Sequence, residues 1–177
     1  MIGRRKALVT VHVLGSVSSF GVTVVMLTLL LMATSTDNTA FVRTVVRVDE
    51  RLLYTVAIPG LLLGLATGVL SALTSPWRLF RHTWVTKKLG LLLVALGSVL
   101  LLLRPWIAQL VGETTGGTLT GAELDGTKWL FATGLVAQLV ILTLITLLSV
   151  AKPKGGRVGA RPSRANRRRV RSGARPT

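Results

Sequence analysis

Apolar residues in this chain do not alternate with polar ones; they gather into four long runs, at 8–33, 52–73, 84–103 and 129–150. A bilayer core of about 30 Å is crossed by roughly 20 apolar residues in a helix. Lipid offers no partner to an open backbone group, so runs of this kind must satisfy their own hydrogen bonds as helices. The pattern predicts an all-α polytopic membrane protein, an antiparallel four-transmembrane-helix bundle over residues 1–150 with a separate tail at 151–177. Pro59 falls inside the second run, where a helix in lipid tolerates proline once the freed carbonyl finds a partner.

Composition sharpens the class. Half of the 177 residues are hydrophobic and the mean hydropathy is +0.60 despite an arginine-laden tail, which excludes a disordered chain and argues against a water-soluble domain. The absence of cysteine excludes disulfides, Cys-ligated zinc, iron–sulfur clusters and thiol catalysis. Charge then orients the bundle. Of 22 Lys and Arg, 17 fall before the first run, around the start of the third, or in the tail; only Arg43, Arg47, Arg51, Arg104 and Lys128 fall on the other side. All six carboxylates, Asp37, Asp49, Glu50, Glu113, Glu123 and Asp125, lie with those five. Basic residues in short loops stay on the cytoplasmic side, so both termini are expected in the cytoplasm and the protein in a cell (inner) membrane. Trp77 and Trp84 flank one predicted hairpin and Trp106 and Trp129 the other, at the level where indole rings prefer to sit. The basic start Arg4-Arg5-Lys6 resembles an export signal, but the apolar run behind it is longer than a signal core, so an uncleaved first helix is expected.

Within the spans, two helix faces stand out. Gly60, Gly64 and Gly68 recur every four residues and form a groove that lets another backbone approach, either inside the bundle or between two copies of a homo-oligomer. His12, Ser16, Ser19 and Thr23 make a polar stripe on the first span, expected to face the bundle interior. Gln138, deep in the fourth span, needs a partner across the bundle, with a Ser or Thr of the first span as the candidate. His12 is the residue most open to chemistry: a neutral imidazole near His82, Arg81, Lys87 and Lys88 could ligate haem or a metal, or simply hydrogen-bond at the interface. No Asp or Glu lies within a run, which argues against a carboxylate proton relay. No G-x-S-x-G, HExxH, EF-hand or P-loop occurs, so no catalytic residue is assigned.

The tail carries ten basic residues, three prolines and no acid, a composition that cannot bury a core and predicts disorder. Following a span directly, it is expected to meet anionic phospholipid headgroups; nucleic acid is the less favoured partner.

Two stretches carry a resemblance. Val11-His12-Val13-Leu14-Gly15 with Gly21, and Thr74-Ser75-Pro76-Trp77-Arg78-Leu79-Phe80-Arg81-His82-Thr83-Trp84-Val85-Thr86-Lys87-Lys88-Leu89, resemble a bacterial family of small integral membrane proteins of unknown function. That family is loosely similar to the copper-resistance protein D membrane domain and to haem-binding four-helix protoporphyrinogen oxidases. The resemblance implies a haem-related role for His12 and for Lys88, while this chain has Ser19-Phe20-Gly21 in place of the Trp-Gly pair common after that histidine. The sequence as a whole favours a non-enzymatic accessory or interaction protein. A haem- or metal-linked redox protein using His12, and a small-solute transporter with a path along the Ser16–Gln138 face, are the alternatives.

Overall fold

Each apolar run is helical, and each helix continues past the run that predicts it. The computed structural model describes residues 3–73, 83–116 and 121–151. Expectations for His82, Trp77 and the tail from residue 152 onward lie outside the described residues. The described residues form six α-helices: α1 (Arg4–Thr34), α2 (Thr39–Leu52), α3 (Ile58–Leu73), α4 (Thr83–Ser98), α5 (Arg104–Gly116) and α6 (Gly121–Ala151). A π-helical turn, Leu53–Ala57, joins α2 to α3, and another, Val99–Leu103, joins α4 to α5. The six helices therefore make four continuous rods, each long and apolar enough to cross a membrane. Among the described residues there is no strand.

The two π turns have one cause. Proline lacks an N–H, and its ring clashes with the carbonyl four residues earlier. For Pro59 that carbonyl belongs to Thr55, and for Pro105 to Leu101; each lies inside a π turn. Widening the turn moves the carbonyl away: Ile58 N–H bonds back to Leu53 O, and Arg104 N–H to Val99 O. The helix thus passes the proline without a break.

The first two rods turn back on each other over Ser35–Asn38, where the Asn38 side chain accepts from Ala40 N and Phe41 N, both at 3.1 Å, and caps α2. Residues 43–51, which the run pattern leaves in a connecting loop, are helical. Val42, Val45, Val46, Asp49 and Leu53 form the buried face of this stretch, and Arg43, Arg47 and Arg51 stay exposed. This periodicity was masked in the sequence by five charges in nine residues, which depress any average of hydropathy without altering the face that packs.

The core sits toward the end of the bundle that carries the carboxylates. Met26, Leu30, Val46, Leu103, Ile107, Leu110, Phe131 and Leu135 are almost wholly buried there, and α2, α5, α1 and α6 pack around them. Trp106 seats on Gly134 of α6, where an added methyl would come within 2.8 Å of the indole, so its ring packs between two rods. At the opposite end α4 packs on α6 but only lightly on α3, and the bundle is looser. From Lys88 to Trp106 the third rod rises about 27 Å, close to the roughly 30 Å of a bilayer core.

Candidate functional site

The glycine groove and the polar stripe, read separately in the sequence, are the two halves of one seam. α1 and α3 form the most extensive helix pair of the bundle. The seam brings Gly15 against the Gly60 carbonyl, Ser16 beside Gly64, Ser19 against Gly60, and the His12 ring against Gly68. Helices in lipid associate through such close backbone approach, because lipid tails remove the hydrophobic drive between them. The Gly60–Gly64–Gly68 face is therefore filled by α1 of the same chain.

The hydroxyls of the stripe are satisfied locally. Ser16 donates to His12 O at 2.8 Å, Ser19 to Gly15 O at 2.9 Å and Thr23 to Ser19 O at 2.7 Å. Gln138 finds its partner elsewhere than on α1. Its Oε1 accepts instead from the Ser98 hydroxyl of α4 at 2.7 Å, and the pair is a polar cross-link between the third and fourth rods. Ser98 was not singled out in the sequence, since a lone serine in an apolar run carries no signal until its neighbour is known.

His12 reaches across the seam. Its Nδ1 lies 2.9 Å from Gly64 O and 3.2 Å from Thr67 Oγ1. A carbonyl only accepts, so Nδ1 carries the proton and donates it, which leaves Nε2 unprotonated in the neutral ring. Thr67 donates onward to Leu63 O at 2.5 Å. Without a side chain at Gly68 the imidazole has room to lie flat on α3; a Cβ there would stand 3.3 Å from its Cε1.

Beside this histidine is a chamber of about 540 Å³, walled by α1, α3, α4 and α6. His12, Lys88 and Ser149 lie at one end, and Leu61, Leu92, Leu142, Ile145 and Phe20 form its apolar walls. The sequence-predicted pair His12 and Lys88 thus lines one cavity, together with Ser16 and Ser19. Lys88 Nζ donates to Ser149 Oγ at 2.5 Å. Among the described residues no Asp or Glu lines the chamber, and the acceptor that Lys88 meets is a neutral hydroxyl. Val17 and Leu147 also line it while remaining 65% and 56% exposed; the chamber opens sideways between α1 and α6, toward the lipid.

The donor set fits a metal ion poorly. Among the described residues no group of three His, Cys, Asp or Glu side chains converges, and His12 offers a single Nε2. For haem, His12 would offer Nε2 to the iron and Lys88 would offer a cation to an anionic side group, both from the same end of the chamber.

At the carboxylate end, Asp49 is wholly buried and neither of its oxygens has a hydrogen-bond partner. Glu113 Oε1 accepts from Gln109 Nε2 at 2.6 Å and from Thr127 Oγ1 at 3.3 Å. Lys128, also buried, pairs with exposed Asp125 at 2.7 Å. Arg104 Nε donates to the Tyr54 hydroxyl at 3.2 Å.

The fold and the chamber define a small integral membrane protein, a four-span helical bundle with a laterally open cavity in its basic half. Residues 6–153 match the family described as predicted integral membrane protein, DUF2269, and the chain belongs to that family. No curated protein and no solved structure matches it.

Proposed function

We propose that this protein is a non-enzymatic ligand-holding subunit of the cytoplasmic membrane, and that its chamber binds a small apolar or amphipathic molecule. The observation that carries the reading is the cavity itself. Ligand sites are mostly apolar hollows of about 300–1,000 Å³ with a few convergent polar groups, and here His12, Lys88 and Ser149 gather at one end of such a hollow. Charge sorting supports an orientation with both termini in the cytoplasm, so that the Lys88 end faces inward. The tail then lies against anionic headgroups, each Lys or Arg near the surface adding about 1 kcal/mol of attraction. A second copy would have to meet a face other than the Gly60–Gly64–Gly68 groove, which α1 already fills.

The rival is haem held by His12, in line with the likeness to the copper-resistance protein D domain and the haem-binding oxidases. What favours it is the free Nε2 left when Nδ1 donates to Gly64 O. Purified protein from haem-supplemented cells separates the two. An organic extract that holds one amphipathic molecule per chain, from a colourless sample, supports the first reading. A Soret band that His12→Ala abolishes supports the second and overturns the first.

A further inference from the structure

We propose that the occupant of the chamber is an anionic amphiphile with a single apolar tail, its carboxylate or phosphate head paired with Lys88. This rests on the chamber reading above and names the chemistry of its ligand.

Three observations converge. The first is an uncompensated charge. Lys88 stands at the polar end of the cavity with Ser149 Oγ as its acceptor, and no carboxylate is present among the lining residues. None occurs anywhere between residues 51 and 112. A partly buried ammonium in an apolar setting is costly unless an anion meets it, and the chain offers none there, so the anion must come from the ligand. The second is the order of surfaces along the bundle axis. His12, Ser16, Lys88 and Ser149 lie toward the basic end, while Phe20, Leu61 and Leu142 lie deeper, beside Ser19 and Thr143, whose hydroxyls donate to Gly15 O and Leu139 O of their own helices. From His12 to Phe20 the wall descends about 12 Å, a polar head region continued by an oily slot. The third is access. Val17 and Leu147 belong both to the chamber lining and to the exposed surface, so a molecule dissolved in the adjoining lipid reaches the slot sideways without leaving the membrane. The volume of about 540 Å³ suits one ligand of ordinary drug size.

The ligand completes the polar end. Its head takes one N–H of Lys88 as a charge-assisted bond, which is shorter and stronger than a bond between neutral groups. The Ser149 hydroxyl is then free to turn and donate to the same head. Ser149 also donates to Ile145 O at 3.1 Å, so this turn exchanges one acceptor for another.

The test uses full-length protein stripped of lipid in mild detergent and examined by native mass spectrometry with palmitate or with hexadecanol, the uncharged equivalent. One palmitate per chain is expected, with hexadecanol retained about tenfold more weakly. Lys88→Met should bring palmitate down to the level of the alcohol, and Lys88→Arg should keep the preference. Leu142→Trp, which fills the slot and leaves the charge alone, should weaken both ligands, with helical content by circular dichroism as the control for folding. Equal retention of palmitate and hexadecanol by the unaltered protein overturns the anionic head while leaving the chamber reading intact. Palmitate binding unchanged by Lys88→Met overturns it too. Retention of neither ligand, or binding unaffected by Leu142→Trp, overturns the chamber reading itself.

Discussion

A methyl group added to Gly60 would land on the Ser19 hydroxyl, with the Gly15 carbonyl 3.1 Å away. Gly60 and Ser19 are thus the tightest crossing of the α1–α3 seam, and this contact holds the wall that carries His12.

Gly60→Ala is expected to destabilise the protein by about 1–3 kcal/mol, the usual cost of overpacking a close-fitted interior. Gly64→Ala is expected to cost much less, since its added carbon would meet the Ser16 hydroxyl at an ordinary 3.7 Å. Denaturant titration in detergent, followed by circular dichroism, would check both. Equal losses for the two variants would contradict the seam as described.

The Ser98–Gln138 bond is expected to couple the third and fourth rods by about 0.6 kcal/mol, with a ceiling near 1.7, as measured for interhelical bonds in lipid. A double-mutant cycle on Ser98→Ala and Gln138→Leu reads this directly. A coupling of zero would mean that each group finds another partner when the other is removed.

Asp49→Leu is expected to stabilise the bundle by about 1–3 kcal/mol, because both carboxylate oxygens lie buried without a donor and an apolar group of similar shape removes that penalty. Asp49→Asn keeps a polar group at the same point and should stay near the unaltered protein. Thermal unfolding of the three proteins checks the order. A less stable Asp49→Leu variant would show that the carboxyl makes an interaction essential to the fold.

Reporter fusions at the two ends should both read cytoplasmic, and a reporter inserted after Gly116 should read the opposite side. Opposed readings from the two termini would undo the charge-sorting argument and with it the inward placement of Lys88.

Much of this was legible in the sequence, and what escaped it has definite causes. Four spans follow from the length of the apolar runs, because lipid makes backbone self-satisfaction a matter of residue count. The glycine groove and the polar stripe were each visible, yet that they face one another depends on which rods pack together, which no single run encodes. Gln138 announced its need for a partner but not the choice, which depends on the rod that lies opposite it: Ser98 of α4 does, although its hydroxyl is also within 2.9 Å of Ala95 O of its own helix. The helical stretch before Leu52 was hidden because charge obscured its packing face. Asp49 passed as a loop residue for the same reason. His12 and Lys88 were chosen on chemistry and resemblance, and they share a cavity because the first and third rods both turn that level inward.

The packed layer of Met26, Leu30, Leu103, Ile107 and Phe131 has a consequence for traffic through the bundle. It lies between the chamber and the carboxylate end, and none of its side chains lines the chamber. On the reading proposed above, a guest would enter and leave by the sideways opening beside Val17 and Leu147, because close-packed side chains fill the bundle beyond it.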